Sequence, residues 1–123
     1  MANGQRPSAK IPAMDEFEFR HRSEDAMESL KKSLIRAEED ADFEVEDEGG
    51  ALHITFDCAP GTFVISPNSS AHQIWISALA KSFKLDWSDE AGGWVLAKTG
   101  EALKPLVTRL MNQQFGEKAV DLK

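Results

Sequence analysis

SSAHQIWISALAKSFKLDW, residues 69–87, places a tryptophan between two isoleucines, with Gln73 and Ser77 two residues to either side. Successive side chains of a strand point to opposite faces. Ile74 and Ile76 therefore share a core face only if Gln73, Trp75 and Ser77 share the other. The largest side chain of the run then lies on the polar side, which asks for a sheet with one face packed and one in water.

The flanking segments agree with such a sheet. Upstream, Phe43 and Val45 alternate with Asp42, Glu44 and Glu46, the Glu-Gly-Gly at 48–50 turns the chain, and Leu52, Ile54 and Phe56 alternate with His53 and Thr55. That is a hairpin pattern. Strand-like runs at 62–66, 72–77, 83–87 and 94–97 are punctuated by APG, PNSSA and SDEAGG. Two helices bracket them. Over 15–40, Phe19, Met27, Leu30, Leu34 and Ala37 recur at helical spacing, with Glu28 four residues before Lys32. Leu103, Leu106, Val107, Leu110 and Gln114 trace the second helix, with Pro105 in its first turn and Gly116 as its stop. The order predicts an α+β fold: two helices packed on one face of a single antiparallel β-sheet of about six strands. We divide the chain into a polar arm (1–14), one domain (15–118) and a C-terminal tail (119–123).

Composition narrows the function. A chain of 123 residues makes one domain. Its 21 acidic against 14 basic residues, for a net charge of -7, argue against nucleic acid or anionic membrane and for cations or basic proteins as partners. A single cysteine, Cys58, forms no intramolecular disulfide, and no CxxC or HExxH spacing marks a zinc site. A reducing, cytoplasmic setting fits. Residues 1–13 lack the apolar segment of a secretion signal, although a short targeting peptide stays open.

Two constellations stand out. In 38–48, eight of eleven residues are acidic and none is basic; alone, this reads either as a solvated face or as a surface that concentrates cations. Carboxylates repeating about every 6.8 Å along one strand face are too widely spaced for a compact coordination shell, so any sites are shallow and exchangeable. Trp75 is the second, an exposed aromatic anchor with Gln73 and Ser77 as its polar rim. Trp87 and Trp94 read instead as a cross-strand structural pair. His21, His53 and His72 are scattered and read as surface or hydrogen-bonding residues, and Cys58 as inert. No nucleophile, base and oxyanion site come together.

The segments EEDADFEVEDEGGALHITF, GTFVIS, HQIWIS, LDW, GGWV and NQQFGE, in this order and spacing, resemble the frataxin family, particularly its bacterial branch, over residues 18–117. The resemblance implies the same two-helix, one-sheet fold. It also implies an accessory role in iron-sulfur cluster assembly: weak binding of iron, Fe(II) or Fe(III), on an acidic ridge, and contact with a cysteine desulfurase and its scaffold protein. The ridge positions are Glu38, Asp40, Asp42, Glu44 and Glu46; the partner-binding positions on the sheet are Asn68, Gln73, Trp75 and Ser77. Lys31, Lys32 and Arg36 stand where bacterial relatives often carry acids. SPNSSA stands where the family often has N-x-Q-x-P, leaving Asn68 and Gln73 to supply comparable contacts. The expected state is a monomer, with iron-driven oligomers open. Two alternatives also stay open: a weak ferroxidase or iron-storage oligomer, and a metal-free acidic adaptor.

Overall fold

The computed structural model describes residues 15–57 and 61–123; the arm at 1–14 and Cys58 lie outside the described residues. Helix α1 spans Glu16–Ala37. Asp15 caps it, its carboxylate accepting the Glu18 backbone N–H at 2.8 Å and so satisfying one of the donors a helix start leaves free. Six strands follow: β1 Phe43–Glu48, β2 Ala51–Phe56, β3 Thr62–Asn68, β4 Gln73–Ala78, β5 Lys81–Ser88 and β6 Gly93–Leu96. They form one sheet in sequence order, and every neighbouring pair is antiparallel. Helix α2, Leu103–Phe115, closes the fold. The predicted α+β architecture is the observed one.

Two turns show different chemistry. Gly49 and Gly50, at φ 62° and 92°, join β1 to β2, the left-handed pair that a tight hairpin asks for and glycine supplies without strain. The β4–β5 hairpin uses Leu79 and Ala80 at φ 53° and 60°. Here two residues with Cβ atoms hold a conformation that disfavours them. At the end of α2, Gly116 (φ 78°) donates to Gln113 and Glu117 donates to Asn112, the paired bonds of a left-handed helix stop. Pro105 sits in the first turn, where its missing N–H costs nothing.

The core lies between the helices and one sheet face. Leu30 and Leu34 of α1 and Leu106, Leu110 and Met111 of α2 meet Leu52, Ile54, Ile65, Ile74, Ile76 and Leu85, all fully buried. Trp94 is buried and Trp87 half-buried; they face each other in register with ring centroids 5.7 Å apart, edge to face. The pair is structural, as its sequence position suggests: the Arg22 guanidinium covers Trp87 at 4.4 Å, and Trp94 Nε1 donates to the Arg22 carbonyl at 3.4 Å.

Residues 119–123 do not hang free as a tail. Val120 and Leu122 are buried in the core. The Asn112 side chain of α2 accepts from the N–H groups of Ala119 and Val120 and donates to the Val120 carbonyl. Thr108 accepts from Leu122, and the buried Ser33 hydroxyl of α1 donates to the Lys123 carbonyl at 2.6 Å. The segment is therefore laced to both helices.

Candidate functional site

The acidic ridge forms on β1, an edge strand of the sheet. Phe43 is buried and Val45 half-buried on the core face, which sends Asp42, Glu44, Glu46 and Glu48 to the open face, where all four are exposed. Asp47 points the other way and pairs with Lys31 of α1 at 3.3 Å. Across from Glu46 stands His53, whose Nε2 lies 3.7 Å from the Glu48 carboxylate.

The structure does not gather the five expected ridge residues into one group. Glu38, after the end of α1, accepts the Val45 backbone N–H at 2.7 Å. Its carboxylate is spent on an edge group that would otherwise lack a protein partner. Asp40 is exposed in the turn before β1. Asp42, Glu44 and Glu46 remain as a row along one strand. Among the described residues no three histidine or acidic side chains are placed to share a metal ion. Chemically, the row is a field of separated carboxylates that attracts cations without enclosing one.

At the centre of the same face, Trp75 is 36% exposed while Ile74 and Ile76 are buried, the alternation that HQIWIS predicts. The tryptophan is held. Its Nε1 donates to the Gln73 side-chain oxygen at 2.8 Å, and the Gln73 amide donates in turn to Asp86 at 2.9 Å. Lys84, opposite Trp75 on β5, places its ammonium 4.9 Å from the ring centroid, a cation over a π face. Asn68 pairs across from Gln73 and accepts the Ala71 N–H at 2.9 Å, shaping the β3–β4 turn. Ser77 is exposed between Val64 and Ser82.

One cross-strand row, Glu46–His53–Val64–Ser77–Ser82, ties the two constellations together. Three inter-strand steps separate β1 from β4, about 14 Å. Ridge and tryptophan thus lie on one solvent-facing surface. Lys84 and Asp86 belong to this surface, and no motif in the sequence singles them out. Their signal is arithmetic: in a two-residue hairpin turning at 79–80, positions 75 and 84 face each other, as do 73 and 86. The turn itself has no glycine, asparagine or aspartate to announce it.

Comparison with known proteins bears on the chain as a whole. A family model described as a frataxin-like domain matches residues 12–117. The iron-sulfur cluster assembly protein CyaY of Pseudomonas entomophila is 28% identical over 99 residues, covering 79% of this chain and 89% of that protein. The protein of the same name from Azotobacter vinelandii is 26% identical over 98 residues, covering 78% and 88%. Among solved structures, frataxin from Psychromonas ingrahamii superposes with a TM-score of 0.75 at 19% identity, over 89% of this chain and 99% of that one. At that identity the likeness speaks for the fold.

Proposed function

The chain belongs to the frataxin family, as a bacterial CyaY-like member, and on that footing we propose that it is a cytoplasmic accessory protein of iron-sulfur cluster assembly. In this reading, Asp42, Glu44 and Glu46 hold Fe(II) or Fe(III) weakly, and the open sheet face docks the cysteine desulfurase and its scaffold. The observation that carries it is the shared surface: an exposed carboxylate row and a fixed, exposed Trp75 on one sheet face, joined by the Glu46-to-Ser77 row. Carboxylate oxygens suit hard cations. A tryptophan already fixed by hydrogen bonds loses little further freedom on binding.

The relatives named above are iron-sulfur cluster assembly proteins, which supports the pathway. One cysteine cannot furnish the thiolate ligands of a cluster, so the reading assigns this chain to tuning delivery or turnover. The test is cluster formation by purified desulfurase and scaffold, with and without this protein and its Trp75→Ala variant. A changed rate that the variant loses supports the reading; an unchanged rate at saturating protein removes it.

A second reading, a metal-free adaptor that docks a basic enzyme by charge alone, is favoured by the diversion of Glu38 to the Val45 backbone N–H. Chelator separates the two: adaptor binding persists in it, iron-dependent binding does not.

A further inference from the structure

Strand β6 is half the length of its neighbour. β5 has 8 residues and β6 has 4, and their pairing runs only from Leu85↔Leu96 to Ser88↔Gly93. Residues 81–84 pair with β4 along their inner edge, from Ala78↔Lys81 to Trp75↔Lys84. Their outer edge has no strand partner among the described residues. A groove of about 840 Å³ borders this edge, lined by Phe83 and Leu96 and flanked by Lys81, Lys84, Lys98 and Arg109.

The charges are unevenly committed. Arg109 is clamped to Glu101 by two bonds of 2.7 and 2.9 Å, and Lys84 covers Trp75. Asp86, the acid on the groove wall, is engaged by Gln73. Lys81 and Lys98 make no ion pair among the described residues. An unpaired sheet edge is a template for an added strand. Added strands draw affinity from main-chain bonds and selectivity from side-chain surroundings. Lysines along such an edge discourage indiscriminate pairing, repel basic strands and reward acidic ones.

We propose that the 81–84 edge of β5 is a strand-addition site for an extended acidic segment of a partner protein. A second copy of this chain is the weaker occupant. Its acidic strand is β1, and the outward Val45 N–H of that strand is already taken by Glu38 at 2.7 Å. The site is also separate from the open-face ridge, at the opposite end of the sheet.

The test uses a fluorescein-labelled peptide of alternating glutamate and valine, read by anisotropy against the full chain at low salt. The expected result is saturable binding, weakened about tenfold by the pair Lys81→Glu and Lys98→Glu at unchanged melting temperature. Slowed amide hydrogen exchange at 81–84 should accompany it. The same peptide carrying N-methyl groups along its pairing edge keeps its charge and loses its main-chain donors, so it should not bind. Equal binding of the methylated peptide, indifference to the charge reversal, or protection appearing elsewhere overturns the proposal. So does a concentration-dependent dimer that the double variant dissolves, which would give the edge to a second copy. Lys98→Glu alone, in the turn beyond β6, serves as the check should the double variant lose its fold.

Discussion

Trp75 donates its indole N–H to Gln73, two residues earlier on the same strand, at 2.8 Å. Gln73 is itself fixed by Asp86, and the ring carries the Lys84 ammonium at 4.9 Å. An exposed tryptophan ordinarily samples several rotamers. This one presents a set edge and a set face, and the residues that set it come from two strands.

Trp75→Ala removes a half-wet side chain and should cost about 1 kcal/mol of stability. Ile74→Ala, on the buried side of the same strand, should cost about 2–5 kcal/mol through its cavity. Affinity for the assembly complex should show the reverse order, falling about thirtyfold or more for Trp75→Ala. Melting curves and titrations of both variants check the pair; unfolding of Trp75→Ala would undo the open-face assignment.

The ridge should respond to cations as a field does. Adding Fe(II) or Mn(II) at ten times a weak dissociation constant should raise stability by about 1.4 kcal/mol, because the folded strand holds its carboxylates together. Reversing Asp42, Glu44 and Glu46 to lysine should abolish the gain. A single tight stoichiometric site in calorimetry would contradict this.

Glu101 is a carboxylate that its surroundings perturb. Hydrogen bonds from Arg109 hold its pKa below the ordinary glutamate value, against a smaller opposing effect of burial. A lowered folded pKa means stability that is present above the unfolded-state value and lost as pH falls through the folded one. The pair is solvent-screened, so the loss should be about 1 kcal/mol at most. Glu101→Gln should remove this part of the acid dependence, as urea unfolding between acid and neutral pH would show.

Ala80→Gly should stabilise the fold by about 1 kcal/mol. It relieves a residue held at φ 60° in the β4–β5 turn. Chemical denaturation is the check, and a loss of stability would mean that flexibility in the unfolded chain outweighs the strain.

Asn112→Ala strips the partner from two N–H groups and one carbonyl of residues 119 and 120. Backbone groups left unsatisfied cost about 1–3 kcal/mol each when buried, so a total of about 2–4 kcal/mol is expected for this partly exposed cluster, read by thermal melting.

What could be read from the chain follows from where its signals are local. The spacing of Met27, Leu30 and Leu34, the Gly49–Gly50 turn and the Ile74–Trp75–Ile76 alternation are each legible within a few residues, and all three hold in the structure. The β4–β5 turn is silent because Leu79 and Ala80 are neither glycine nor asparagine, and with it went the facing of Lys84 to Trp75 and of Asp86 to Gln73. Glu38 reads as one more ridge acid; only the path of the chain from α1 into β1 brings it to the Val45 N–H. AVDLK after the Gly116 stop reads as a loose end because two apolar residues carry no period, and the helix groove that buries Val120 and Leu122 exists only in three dimensions.

The contact of Ser33 with Lys123 spans 90 residues of chain, whereas every strand pairs with the strand next to it in sequence. The two parts of the molecule therefore differ in the loop entropy they must overcome: the meander closes short loops, while the contact of α1 with the last residues closes one of 90 residues. Side chains at that meeting point are therefore expected to pack on the native side of the folding barrier. Substitutions there should speed unfolding and leave the folding rate nearly unchanged, so the α1–tail contact governs how long a folded molecule lasts rather than how fast it forms.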